Sequence, residues 1–508
     1  MANVSDGTVV GTAVDINYGG RSLLSEGFGF ANKEKNITWS VDNTVHRIAS
    51  VTKMFPAILL YQAQTACFNQ TVVSGHCLGM HSPVQNTIPK FRPPPIFGAE
   101  QKITWHQLSS QLSGLDRGGP AACLQADCTN SEALAHVQTR FPKWPPGTHP
   151  AYSNWAFALL GNLLAEEVFV DANFSASVAS RIAQPMGLAN TGMEYTPEVL
   201  HKLAAGYSKG VAVPFLDLHY QAPAGSAFAT AGDLTTFCQH LLAAFHGSTD
   251  AADKLGISVP LVRSMLRSPA FWNDEQVSGP SGFGTPWELT SVANFYVASK
   301  GGNLPGYATL VSMVPRLNVS IVMAINNDAD DFSWMYAIND LLIPALNHTL
   351  VSMQPNPVAD PGPHSEAVVG RYVLADIAVI VQMPAVPVPG FNHPVLLIAL
   401  ERGGALISSF FLDYVPQEFS SSQLLFRMSF PPSAQSYTCF LQELVAQHGA
   451  NVVFQVEGPK AVSVDVYAYG LEGVKRRSDT HSTRLSVTPY INETAHRNFL
   501  QERVVIYE

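Results

Sequence analysis

The chain has 508 residues, a net charge of −10, and an apolar fraction of 46% against 13% charged residues. That length exceeds one ordinary domain and predicts two or three. The acidic balance excludes nucleic acid and anionic membrane surfaces as partners, and no apolar run reaches the length of a transmembrane helix.

In chain order, Met1–Gly7 has neither a basic n-region nor an apolar h-region, so the sequence shows no signal peptide. Seven N-x-S/T sequons nevertheless occur, at Asn3, Asn36, Asn69, Asn173, Asn318, Asn347 and Asn492. Cys67 with Cys77, and Cys123 with Cys128, form close pairs in loop-like sequence where a local disulfide closes easily. Together these features predict a secreted, glycosylated protein given without its leader. The alternative is a cytosolic protein with chance sequons and free thiols. Cys238 and Cys439 lie too far apart for spacing to pair them.

Val9–Tyr18 and Ser22–Phe30, separated by Gly19-Gly20, read as a β-hairpin. Helical patterning then dominates from Ser50 to about Leu266. It opens with Ser50-Val51-Thr52-Lys53, the only S-x-x-K in the chain, placed where a helix should begin. A lysine one helical turn after a serine points its amine back at the hydroxyl and takes its proton if neutral. The free N–H groups of a helix start face the negative charge that develops on attack.

Tyr152-Ser153-Asn154 lies in a loop before the clearest helix, Asn154–Val168. A Tyr152 phenol near cationic amines would serve as base or acid, and the Asn154 carboxamide would bind a substrate amide or orient Lys53. Strand signals return at Ser291–Ser299, Tyr307–Val314 and Val319–Ile325. Between the first two, Lys300-Gly301-Gly302 offers positive charge and two glycines that let a substrate backbone lie alongside a strand and free an N–H for an oxyanion. Strands, a helical insert, then strands predict a sheet with helices on both faces and exclude a parallel βαβ repeat.

Pro355–His364 reads as a linker. After it, Arg371–Met383, His393–Leu400, Leu424–Phe430 and Ala461–Tyr469 are strand-like. The expected organisation is a catalytic domain over 1–355, a Pro-rich linker over 356–369 and a small all-β barrel or sandwich over 370–508.

S-x-x-K, then Y-x-N, then K-x-G resembles the class C β-lactamase, DD-peptidase and carboxylesterase family. The likeness covers nearly all of residues 8 to 350. It includes Phe28-Gly29-Phe30-Ala31, His46–Lys53, Leu108–Leu115, Pro146-Gly147-Thr148, Pro185–Leu188, Ala224–Ala227 with Ala231–Leu234, and Gly301-Gly302 with Pro305-Gly306-Tyr307. The resemblance implies an α+β fold, an antiparallel sheet flanked by helices plus a helical insert, followed by a lipocalin-like β domain. It implies that Ser50 is acylated, that Lys53 and Tyr152 share the base and acid work, and that Asn154, Lys300 and Gly301 contact substrate. The N–H of Ser50 and one near Gly302-Asn303 would form the oxyanion hole.

Gly301 stands where the family's β-lactamases carry a hydroxyl residue that helps hold the substrate carboxylate. That departure points to esters or small amides before β-lactams. Y-x-N in place of S-D-N gives no support to deacylation through a separate carboxylate, so Glu166 and Glu167 read as the polar face of a helix. The expectation is a secreted serine hydrolase acting through acyl-Ser50 on a small-molecule or short peptide-like acyl donor, with no metal or cofactor. Alternatives are an acyltransferase using the same acyl-enzyme, a weak β-lactamase or D-amino-acid peptidase, and a non-catalytic binding protein. The substrate and the oligomeric state are not legible.

Overall fold

The hairpin forms as expected. Gly11–Tyr18 and Arg21–Asn32 pair antiparallel across Gly19-Gly20, both at positive φ (56° and 82°), where a side chain would be strained. The computed structural model describes residues 9–71, 77–96, 99–266, 270–271, 282–292, 295–328, 333–353, 365–374, 377–383, 396–414, 423–429, 451–457, 460–466 and 471–475. By internal contacts they fall into two compact units, Met1–Asn347 and His348–Glu508.

The first unit is built on a nine-stranded antiparallel sheet. Its order is Ile37–Thr38, Arg21–Asn32, Gly11–Tyr18, Val319–Ile325, Tyr307–Val314, Phe295–Leu304, Glu288–Val292, Gly282–Phe283 and Ala270–Phe271. The first long strand therefore pairs with the last, Thr12 opposite Ile325, and the helical insert lies between them in sequence.

Side-chain alternation on Val319–Ile325 shows how both faces are covered. Val322 and Ala324 enter the main core with the insert helices. Ile321, Met323 and Ile325 point to the opposite face, where Met335 and Ile343 of the helix Ser333–Met353 pack. The helix Met54–Phe68 is apolar nearly all round and buried from Met54 to Gln64, as a helix through the middle of a core must be.

Two elements differ from expectation. The run read as one strand, Ser291–Ser299, is an antiparallel pair, Glu288–Val292 and Phe295–Leu304, and Lys300-Gly301-Gly302 lies inside the second strand. The helix read as Asn154–Val168 is α-helical to Leu163 and closes in a π turn, Leu164–Val168, from which Glu166 and Glu167 point outward as expected.

In the second unit, eight antiparallel strands close in sequence order: Gly370–Leu374, Ile377–Gln382, Leu396–Arg402, Ala405–Tyr414, Gln423–Ser429, Asn451–Glu457, Lys460–Val466 and Leu471–Lys475. Tyr372 pairs with Lys475 to shut the barrel, and Tyr372, Phe426 and Phe454 stack inside it. Arg371–Met383 holds two of these strands, and Ala405–Tyr414, Asn451–Glu457 and Leu471–Lys475 were not anticipated. The Pro355–His364 segment lies outside the described residues, as do Asn3, Asn492 and Cys439.

Cys67 is bonded to Cys77 and Cys123 to Cys128, while Cys238 is buried and free. Asn36, Asn69 and Asn173 are exposed, Asn318 is half-buried in a left-handed turn, and Asn347 lies on the Ser333–Met353 helix. Among the described residues no helix is long and apolar enough to cross a membrane.

Candidate active site

Ser50 sits in a tight turn, Ala49–Lys53, that runs directly into the buried helix Met54–Phe68. The turn is fixed to the segment around Ala227. The Ile48 N–H donates to the Ala227 carbonyl at 3.0 Å, and the Thr52 hydroxyl accepts the Ala227 N–H at 3.0 Å while donating to the Ala49 carbonyl at 2.6 Å. Ala49 takes φ 49°, the left-handed region that costs a β-carbon about 1–2 kcal/mol, so the residue before Ser50 is held against its own preference.

Lys53 is fully buried, and its Nζ has three oxygen partners: Ser50 Oγ at 3.0 Å, Asn154 Oδ1 at 2.8 Å and the Ala224 carbonyl at 2.7 Å. The helical offset read from S-x-x-K is thus the observed contact.

Tyr152 and Asn154 are positioned by the loop that precedes them in space. The Ser153 N–H donates to Gln111 Oε1 at 2.7 Å, and the Ser153 hydroxyl donates to the Asp116 carbonyl while capping the helix at the Ala156 N–H. The Asn154 and Trp155 amides both donate to the Arg117 carbonyl, at 2.9 and 3.2 Å. The Tyr152 ring then lies among three cations: Lys53 Nζ at 4.9 Å from the ring centre, Lys300 Nζ at 5.4 Å and the Arg117 guanidinium at 4.9 Å.

The third motif enters from the Phe295–Leu304 strand. Lys300 Nζ bonds Glu288 Oε1 at 2.6 Å and the Gly301 carbonyl at 2.7 Å. Glu288 Oε2 accepts the Gly301 N–H and the Tyr336 hydroxyl, both at 3.1 Å. A β-carbon on Gly301 would come within 2.9 Å of that Tyr336 hydroxyl, so tyrosine oxygen fills the space a hydroxyl side chain would take. A β-carbon on Gly302 would meet the Ile48 carbonyl oxygen at 2.3 Å and the Ser50 nitrogen at 3.0 Å. Glycine at 302 is what lets this strand close on the Ser50 turn.

The charges follow from this packing. Burial pushes the Lys53 ammonium down; Tyr152 opposes it, Lys300 adds to it, and the result is about 8. Burial alone would raise the Tyr152 phenol, but the Lys300 and Lys53 charges outweigh it and bring it to about 8, with Glu288 opposing. Burial would also lower Lys300, yet Glu288 and Tyr152 hold it above its usual value, so it stays charged.

Ser50, Asn154 and Asn303 open on a cleft of about 270 Å³, with Arg117, Leu124 and Leu218 among its walls. The structure therefore brings Ser50, Lys53, Tyr152, Asn154, Lys300, Gly301, Gly302 and Asn303 to one place. Sequence reasoning missed Glu288, Tyr336, Arg117 and the Ala224 carbonyl. Of these, Glu288 is tied to the third motif by strand register, directly opposite Ser299.

The family model described as Beta-lactamase matches residues 2–340. A human protein, "Putative beta-lactamase-like 1", is 30% identical over 341 residues, covering 66% of this chain and 64% of its own length. The chain thus spans just under two thirds of that relative. Among solved structures, a class C β-lactamase from Rhodobacter sphaeroides superposes with a TM-score of 0.55 at 17% identity, over 68% of this chain and 97% of its own. The octameric penicillin-binding protein homologue from Pyrococcus abyssi covers 92% of this chain and 96% of its own, with a TM-score of 0.54 at 17% identity. At these identities the likeness to both structures is one of fold.

Proposed function

Because this chain belongs to the beta-lactamase family, we propose that it is a serine hydrolase working through an acyl-Ser50 intermediate on esters or small amides, with water as acceptor. The observation that carries this reading is the Lys53 amine, 3.0 Å from Ser50 Oγ and brought by burial to about 8. A buried amine near neutrality accepts a proton that a solvated lysine would not.

In the proposed sequence, the Ser50 proton passes to the Lys53–Tyr152 pair as Oγ forms a bond to the substrate carbonyl carbon. The tetrahedral oxyanion faces the Ser50 N–H at the start of its turn. The second donor is the Asn303 N–H. Backbone amides alternate along a strand, and that of Gly301 points to the edge where Glu288 accepts it, so Asn303 faces the same edge and Gly302 the other. Tyr152, between two ammonium groups, returns the proton to the leaving alcohol or amine as the carbonyl re-forms. Water then repeats the steps on the acyl-enzyme. Asn154 orients Lys53 through their 2.8 Å contact.

The two disulfides and the exposed Asn36, Asn69 and Asn173 support a secreted, glycosylated protein. We place the catalytic domain in residues 1–355 and a separate barrel domain in 370–508. Mass spectrometry after treatment with a neutral fluorophosphonate tests the central claim: one adduct is expected on Ser50, absent from Ser50→Ala. No adduct on the active protein overturns it, and acyl transfer to added alcohol in preference to water would replace hydrolase with acyltransferase.

A further inference from the structure

We infer that Arg117 anchors an anionic group on the acyl donor, so that the preferred substrates are esters or amides whose acyl arm ends in a carboxylate. This rests on the acyl-Ser50 reading and names the substrate class for that same cleft.

Three cations surround the Tyr152 ring, and two are already used within the protein. Lys53 has its three oxygen partners. Lys300 is ion-paired with Glu288 at 2.6 Å. Arg117 is different: it is exposed, lines the cleft that holds Ser50, and forms no ion pair among the described residues. The acidic groups near the cleft residues in sequence have other contacts. Asp116 accepts the Gly119 N–H and faces His136 at 3.7 Å, while Asp127 and Asp217 both flank His219, at 3.4 and 3.9 Å. Arg117 is therefore a cation on the wall of this cleft to which no carboxylate is paired among the described residues.

The rest of the wall defines what reaches it. Leu124 and Leu218 are apolar, and the Gln221 amide is committed to the Gly118 carbonyl. A short methylene chain would lie against the leucines, with its reacting carbonyl at Ser50 and its charge at Arg117. Guanidinium presents a planar pair of donors matched to a carboxylate, which a lysine lacks. The anchor is also held in place from behind. The Arg117 carbonyl takes the Asn154 and Trp155 amides, and Asn154 holds Lys53, so the backbone from which the Arg117 side chain springs is fixed relative to the nucleophile.

The test compares mono-p-nitrophenyl glutarate with its methyl-capped ester, which has the same acyl arm without the charge. The free acid is expected to have a kcat/KM at least about tenfold higher, expressed mainly in KM, with the preference shrinking as ionic strength rises. In Arg117→Gln the ratio of the two substrates falls to about one, and in Arg117→Lys part of it remains. Taking the ratio cancels any effect of the substitution on Tyr152. Equal rates for the two esters in the wild type, or a preference that survives Arg117→Gln, overturns the proposal.

The neutral fluorophosphonate reports on the acyl-enzyme separately, so a Ser50 adduct without charge preference removes the Arg117 anchor alone. A binding arm needs no turnover. Ser50→Ala protein is expected to bind the monoester acid more tightly than the capped ester by calorimetry, and the Ser50→Ala/Arg117→Gln protein to lose that difference. Equal binding of the two by Ser50→Ala protein also overturns the anchor.

Discussion

Lys300 Nζ lies 2.6 Å from Glu288 Oε1, with the lysine 1% and the carboxylate 16% exposed. Removing one partner of such a pair leaves a charge without solvent or counter-ion, at a typical cost of about 3–5 kcal/mol. Glu288→Gln is therefore expected to lower stability, toward the smaller end because the carboxylate is partly open. Glu288 also raises both Lys53 and Tyr152. In Glu288→Gln both fall further, so the acid limb of the acylation rate moves to lower pH. Urea unfolding and a pH–rate profile on one activated ester check the two effects.

The wild-type profile follows from the same groups. Acylation needs the Lys53–Tyr152 pair to have lost a proton, and both members stand at about 8. The rate should rise with pH and level off above an apparent value near 8 that belongs to the pair. Asn154→Asp would set a carboxylate in place of the amide oxygen that lies 2.8 Å from Lys53, raise the amine, and move this limb to higher pH. A limb that stays in place in that variant would remove Lys53 from the rate-controlling ionisation.

Gly302→Ala is expected to separate the third motif from Ser50. The new β-carbon would lie 2.3 Å from a backbone oxygen, which has no flexible end to move. A displacement of about 1 Å at a reacting centre costs on the order of 10²-fold in rate, and overpacking costs about 1–3 kcal/mol in stability. Gly301→Ala is crowded by the Tyr336 hydroxyl at 2.9 Å, the tip of a side chain, and should lose less of both. Burst kinetics and thermal unfolding of the two variants give the ranking; the reverse order would sink the explanation.

Acid should destabilise the protein through His46 and His106. Burial lowers His46 from 6.5 to about 3, and burial, helped by His81, lowers His106 to about 4. Each imidazole is neutral when folded but takes a proton when unfolded across the interval between those values and 6.5. Stability is thus fully present above about 6.5 and declines as pH falls, by up to ~1.4 kcal/mol per pH unit for each group. Denaturant titrations at pH 7, 6 and 5 should show this slope, and His46→Asn should flatten it.

The residues most legible in the sequence were those whose contacts are local. Ser50 and Lys53 are one helical turn apart, and Asn154 starts a strongly apolar helix; both relationships are written in spacing. Glu288 was invisible for a traceable reason. Ala293-Asn294 carries neither glycine nor proline, so Ser291–Ser299 read as one run, and the antiparallel pairing that sets Glu288 opposite Ser299 was not visible. Arg117 and Ala224 reach the site partly through main-chain carbonyls, to which any residue type contributes. The barrel strands Ala405–Tyr414 and Asn451–Glu457 were within reach of sequence reasoning, since Gly403-Gly404 and Pro416 bound the first and Gly449 and Gly458-Pro459 bound the second.

Among the described residues, the strand Phe295–Leu304 pairs with a strand on both sides only as far as Ser299; from Lys300 onward it pairs with Tyr307–Val314 alone. Exposed strand edges recruit other polypeptides, and the usual safeguards are charge and brevity. Here Glu288 supplies the charge by acting as a counterfeit strand carbonyl for the Gly301 amide. Brevity follows, because the strand ends at Leu304. A visiting peptide would find little ladder to extend. With the Gly301 amide already taken and so little strand beyond it, sheet growth at this edge is checked by a single carboxylate.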